Sequence, residues 1–158
     1  MQHVLVTGGA GYIGSHICQH LASKGYSPVV FDNFSNGHDW AVQWGPTVIG
    51  DLLDTDDIRR AFKSYKFCGI IHMAGLSIVS ESARKPALYY SNNFVGTMNL
   101  VRIMQEFSVN KIVFSSTSAV YGEPNTIPIS EEHTLSPSNP YGESKLFIEK
   151  MLGSETNA

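Results

Sequence analysis

Val4-Leu5-Val6-Thr7-Gly8-Gly9-Ala10-Gly11-Tyr12-Ile13-Gly14 joins a short apolar run to a glycine-rich turn and then to a helical pattern, and this stretch decides the fold. Residues 3–7 read as a strand and residues 12–24 as a helix, with Gly25 placed to end it. The turn satisfies G-x-x-G-x-x-G and G-x-G-x-x-G together. Gly8 and Gly11 would let the chain turn tightly and the backbone approach a pyrophosphate, while Gly14 would let the helix pack on the strand. Free N–H groups at the helix start, around Tyr12 and Ile13, would then face the anion. A plain glycine turn is the simpler alternative, but the strand before it and the helix after it favour a dinucleotide cradle.

Outward from that unit the same alternation repeats. Further strands are predicted over residues 28–32, 47–50, 69–73 and 111–116, each mostly apolar on both faces as central parallel strands are. Helices are predicted over 55–65, 86–107 and 140–152, with Thr55 and Asp56 as caps for the first of these. Right-handed crossovers then give an α/β fold, a doubly wound, Rossmann-like parallel sheet ordered 3-2-1-4-5, with function at the carboxyl ends of the strands. No repeat or Pro/Ser linker interrupts it, so residues 1–152 read as one dinucleotide-binding domain and 153–158 as a tail.

Composition narrows the function classes. A chain of 158 residues, 42% hydrophobic and 16% charged, can bury a sizeable core. A net charge of -3 with scattered Lys and Arg offers no field for a polyanion, so no nucleic-acid partner is expected. No segment approaches the ~18 apolar residues of a membrane span, and the start of the chain has no cationic and apolar leader. Cys18, in a predicted helix, and Cys68, just before a predicted strand, read as reduced core thiols of a cytoplasmic protein. His16 and His20 share a helical face but lack a third ligand, so no metal is expected; nor is there a G-x-S-x-G nucleophile elbow.

Two further groups of residues carry chemistry. Asp32 ends the second strand about twenty residues past the glycines, where a carboxylate can accept hydrogen bonds from an adenosine ribose and repel a 2'-phosphate, favouring NAD over NADP. Alone it would be a strand-end cap. Tyr141 and Lys145 lie four residues apart on one helical face, where an ammonium stabilises a phenolate and makes the tyrosine an acid or base below its usual pKa of about 10. Ser115-Ser116-Thr117 adds hydroxyls at the end of the fifth strand.

These residues, in order, resemble the extended short-chain dehydrogenase/reductase family, and within it the UDP-glucose 4-epimerases. The resemblance runs from Val4 to about Leu152. It is carried by Val6 to His16, Asp32-Asn33-Phe34-Ser35-Asn36-Gly37, Gly50-Asp51-Leu52, His72-Met73-Ala74-Gly75-Leu76, Tyr89-Tyr90-Ser91-Asn92-Asn93, Ser116 to Gly122, and Pro140-Tyr141-Gly142-Glu143-Ser144-Lys145.

The resemblance implies that Asn33, Asp51 and Leu52 lie at the adenosine end of NAD, that Ala74, Gly75 and Ser115 line the cofactor, and that Asn93 supports the site from behind. It further implies Tyr141 as base, Lys145 as its partner on the nicotinamide ribose and Thr117 as the active-site hydroxyl. The implied reaction oxidises the 4-hydroxyl of a UDP-sugar to a transient 4-keto sugar and reduces it from the opposite face, with no net redox change. The helices beginning at Pro86 and Pro140 resemble those of a family homodimer interface. Ser77 stands where many of these epimerases have a cofactor-contacting Lys, which opens the choice of sugar to sister enzymes. Family members run to roughly twice this length, so the substrate-binding C-terminal part is expected to be missing and the isolated chain to turn over poorly, with an apolar edge at Ile112-Val113-Phe114. The dehydratase alternative has Thr-Asp-Glu where this chain has Thr117-Ser118-Ala119, which supplies neither acid nor base. A decarboxylase, a reductase and a non-catalytic NAD-binding module remain as rivals.

Overall fold

Five parallel strands form one sheet in the computed structural model, which describes residues 2–155. They are β1 (His3–Thr7), β2 (Ser27–Asp32), β3 (Thr47–Ile49), β4 (Phe67–His72) and β5 (Ile112–Phe114), in the order β3-β2-β1-β4-β5. This is the order the alternating pattern predicts. β1 is central, with Thr7 level with Phe31 on one side and with His72 on the other, so the glycine turn leaves the sheet between two neighbouring strand ends.

Both faces of the sheet are covered, which is why its strands lack a polar alternation. Leu5, Val29, Phe31 and Ile70 pack with Ile58 and Phe62 of α2 (Thr55–Ser64) and with Leu100, Ile103 and Met104 of α5 (Gly96–Glu106). Val4, Val6 and Val30 pack with Ala10 and with Cys18 of α1 (Tyr12–Ser23) on the other face. Each of the Val, Leu, Ile, Phe and Met side chains among these, removed from water, contributes about 1.5–3 kcal/mol of burial free energy.

The local signals hold with four corrections. α1 ends at Ser23 with Lys24 as its C-cap, and Gly25 follows at φ +82°, the left-handed position glycine favours. α2 is capped not by Thr55 or Asp56 but by Asp54, whose carboxylate accepts the Asp56 and Asp57 N–H groups; a cap must sit outside the helix it closes. β4 begins before Cys68, and β5 is shorter than expected, although Ser115 N–H still donates to the His72 carbonyl. The predicted helix over 86–107 is three pieces: α4 (Pro86–Tyr89), a π-helical segment (Tyr90–Val95) and α5. No residue type marks a π segment in sequence; here it coincides with Asn93, whose side chain is buried and hydrogen-bonded.

The chain divides into two compact units, one made of residues 2–75 with Asn99–Ser115, the other of Leu76–Met98 with residues 116–155. The first holds the sheet, α1, α2 and most of α5. The second is helical: α3 (Val79–Arg84), which the sequence reading does not predict, α4, the π segment and a short 3-10 turn (Ser118–Tyr121) all pack on α6 (Pro140–Glu155).

Candidate functional site

The first unit builds a cradle around the turn after β1. Gly8 sits at φ +68°, and an added Cβ there would lie 2.7 Å from the Ala74 backbone nitrogen. A Cβ on Gly14 would lie 2.1 Å from the Gly8 carbonyl oxygen, so only glycine lets α1 start this close to the turn. Gly11 is the N-cap of α1 and brings no side-chain hydrogen bond, while Tyr12 and Ile13 point outward with 83% and 57% exposure. The helix start therefore presents N–H groups without a side-chain acceptor, as an anion site requires.

Asp32 closes this cradle. One carboxylate oxygen accepts the Ala10 N–H at 3.0 Å and the other the Phe34 N–H at 2.9 Å, so the residue both ties β2 to the glycine turn and presents its remaining lone pairs at the strand end. The strand-cap and ribose-binding readings of Asp32 are thus compatible. The nearest Arg or Lys residues that follow it in sequence, Arg59 and Arg60, are engaged: Arg59 with Glu106 and Asp56, Arg60 with Asp57. Neither is free to neutralise a 2'-phosphate.

Asn33 donates to the Asp51 carboxylate at 2.9 Å, and Asn99 donates to the Leu52 carbonyl at 3.0 Å. These bonds bring the three predicted adenosine-end residues, Asn33, Asp51 and Leu52, to neighbouring strand ends. Ala74 N–H donates to the Thr7 hydroxyl at 3.3 Å beside Gly8, Gly75 follows it, and Ser115 is held at the end of β4 through His72.

The second unit carries the acid-base candidates. Tyr141 and Lys145 lie in the first turns of α6. Lys145 is 5% exposed, and burial pushes its ammonium pKa down to about 8. Tyr141 packs edge-on against Tyr89, ring centroids 6.5 Å apart. The Tyr89 hydroxyl is fixed in turn, donating to the Ile78 carbonyl at 2.8 Å and accepting the Ile78 N–H at 3.1 Å, and burial raises its pKa. Thr117 caps the 3-10 turn, its hydroxyl accepting the Ala119 N–H at 3.2 Å. A Cβ on Gly142 would stand 2.6 Å from the Ala119 carbonyl oxygen, so glycine beside Tyr141 lets α6 approach the turn that Thr117 opens.

Asn93 ties this unit together. Its amide donates to the Leu76 carbonyl at 3.0 Å and to Ser144 Oγ at 3.1 Å, and its carbonyl oxygen accepts the Leu76 N–H at 2.8 Å. Two carboxylates of α6 add further ties, Glu143 to the Tyr90 hydroxyl and Glu149 to Ser116. The Glu143 bond raises the Tyr90 pKa to about 12. Tyr89, Ser144 and Glu149 are supports that sequence reasoning misses, although Tyr89 and Ser144 lie inside motifs it singles out. Among the described residues no group of three or more His, Cys, Asp or Glu side chains could hold a metal ion, and no helix is long and apolar enough to cross a membrane.

Comparison with known proteins places this geometry. The family model described as GDP-mannose 4,6 dehydratase matches residues 5–155. A UDP-glucose 4-epimerase of Rhizobium leguminosarum bv. trifolii is 49% identical over 149 residues, which is 94% of this chain and 46% of that protein. UDP-glucose 4-epimerase 2 of Arabidopsis thaliana is 45% identical over 159 residues, 94% of this chain and 45% of that one. Among solved structures, UDP-glucose 4-epimerase from Brucella ovis in complex with NAD superposes with a TM-score of 0.97 at 44% identity, over 100% of this chain and 49% of that one. The chain spans about half the length of the relatives it matches.

Proposed function

The chain belongs to the GDP-mannose 4,6 dehydratase family, within the extended short-chain dehydrogenases/reductases, and from that membership we propose that it carries the NAD-binding and acid-base residues of a nucleotide-sugar 4-epimerase. The substrate in this reading is a UDP-sugar of the UDP-glucose/UDP-galactose type, and the working assembly a cytoplasmic homodimer. The observation that carries it is the placement of Tyr141 and a buried Lys145 four residues apart on α6, in a chain whose close relatives are named UDP-glucose 4-epimerases.

The glycine turn fits NAD on this chain's own geometry: Gly8 and Gly14 leave no room for a Cβ, and the start of α1 has no side-chain cap. When bound, NAD supplies a reversible hydride acceptor, which lets C4 be oxidised and reduced within one turnover. Tyr141 removes the proton from the sugar 4-hydroxyl and returns it after the transient 4-keto sugar has turned. Lys145, still mostly protonated at neutral pH with a pKa of about 8, favours the tyrosinate through its charge. Thr117 hydrogen-bonds the reacting oxygen. The family takes its description from a dehydratase, but Ser118 and Ala119, which open the 3-10 turn, offer no carboxyl pair for eliminating water, so epimerisation is the better fit.

The test loads the purified chain with NAD, adds UDP-glucose or UDP-galactose, and reads the fluorescence of NADH. Hydride capture that disappears in Tyr141→Phe supports the reading. Cofactor binding with neither sugar reducing it would leave a non-catalytic NAD-binding module.

A further inference from the structure

The buried pair Thr7 and His72 has no part in the chemistry above, yet it joins the two backbone walls of the cradle. Thr7 is 0% and His72 1% exposed, and they face one another in register at the carboxyl ends of β1 and β4. Thr7 Oγ1 lies 2.6 Å from His72 Nδ1 and accepts the Ala74 N–H at 3.3 Å. A hydroxyl has one proton and two lone pairs, so it can serve both partners at once. The residue that follows β1 is Gly8, whose added Cβ would stand 2.7 Å from the Ala74 nitrogen and 2.8 Å from its Cα. Gly8 itself is held from the other side, its N–H donating to the Phe31 carbonyl at 2.9 Å.

The β1 and β4 ends are joined by a backbone bond, Met73 N–H to the Thr7 carbonyl at 3.1 Å, and one residue further the separation of Gly8 from Ala74 is set by the Thr7 hydroxyl that an imidazole holds in place. The His72 ring is backed by Phe114 at 5.6 Å. Rotating Thr7 to another rotamer would leave the Ala74 N–H without its partner in a half-buried setting, which is unfavourable. We infer that Thr7 and His72 are positioning residues for the dinucleotide: their side-chain hydrogen bond fixes the gap between the glycine turn and the Ala74-Gly75 segment. This rests on the NAD reading of the cradle.

The experiment measures NAD affinity of the full chain by titration, well below the unfolding temperature of each variant, with a thermal melt run beside it. The wild-type titration tests the NAD reading by itself; no binding there sinks that reading and the inference with it. With wild type binding, His72→Leu is expected to weaken NAD about tenfold, the fold-change that matches one lost hydrogen bond, and Thr7→Val, which also strands the Ala74 N–H, by at least as much. Thr7→Ser keeps the hydroxyl, and His72→Asn keeps a polar group near the Nδ1 position; both should stay within about threefold of wild type on the same scale. The double variant Thr7→Val/His72→Leu should lose little more than Thr7→Val alone, because the bond between the two side chains is already gone there. Wild-type affinity in folded Thr7→Val and His72→Leu overturns the inference. So does an equal loss in Thr7→Val and Thr7→Ser, since a role in packing alone would not be rescued by the hydroxyl.

Discussion

The side-chain amide of Asn93 donates to Ser144 Oγ at 3.1 Å, and Ser144 Oγ donates to the Tyr141 carbonyl at 2.7 Å, so a π-helical residue holds the helix that carries the proposed base. Asn93 also closes both polar groups of Leu76. Asn93→Ala would strand four buried or half-buried groups, the Leu76 N–H and carbonyl, Ser144 Oγ and the Asn92 amide, and loss of about 2 kcal/mol or more is expected at 1–3 kcal/mol per unsatisfied group. Ser144→Ala should lose less, and the double variant should fall short of the sum because the two share a bond. Urea unfolding of the three variants checks this; equal losses or simple additivity would count against a shared network.

Two glycines separate steric need from conformational preference. Gly25 has positive φ with nothing within 4 Å of an added Cβ, so Gly25→Ala should cost only the left-handed penalty of about 1–2 kcal/mol and leave NAD affinity unchanged. Gly14→Ala places its methyl 2.1 Å from a backbone oxygen, which cannot move aside as a flexible side chain could. It should abolish NAD binding even where the variant still folds. Melting curves and NAD titrations on both variants distinguish the mechanisms, and a Gly14→Ala chain with normal affinity would remove the glycine turn from the proposed site.

The parts of this cradle that are legible in the sequence are those with local causes. Gly8, Gly11 and Gly14 are spaced by the turn they make, and a strand order of 3-2-1-4-5 follows from apolar runs alternating with helical periods. The cap of α2 is not legible to the residue, because Asp54, Thr55, Asp56 and Asp57 are all competent caps and only the backbone conformation of Asp54 decides among them. What else escapes the sequence depends on contacts distant along the chain. Thr7 meets His72 across 65 residues, and Asn93 meets Ser144 across 51. No periodicity encodes either meeting. Asp32 is legible as a residue but not in its full duty, since its bond to Ala10 N–H exists only once β2 lies beside β1.

Among the described residues β4 is the one strand paired with β5, and Val113 on that edge is 64% exposed. An apolar, open edge is a template for pairing with another chain. Val113→Lys should therefore reduce concentration-dependent self-association at little loss of stability. Light scattering across a dilution series checks it, and unchanged scattering would mean that association, where present, uses another surface.

Lys145 makes stability depend on pH in a direction opposite to most surface lysines. Burial lowers its folded pKa from 10.5 to about 8, so the folded state resists the proton that the unfolded chain accepts freely. Below about pH 8 both states are charged and the folded one bears the whole desolvation penalty, on the order of 3 kcal/mol for a shift of this size. Between about pH 8 and 10.5 the folded lysine is neutral while the unfolded one still binds a proton, and the penalty is relieved as pH rises. The cofactor-free wild type should accordingly gain stability relative to Lys145→Met between about pH 7.5 and 9.5, with the variant the more stable at the lower pH. The methionine fills much of the same space without a charge to desolvate, so it should lose turnover while keeping the fold. Denaturant midpoints of both proteins across that range carry the test: parallel curves would mean that Lys145 is solvated in solution, and its effect on Tyr141 would then be that of an ordinary surface charge.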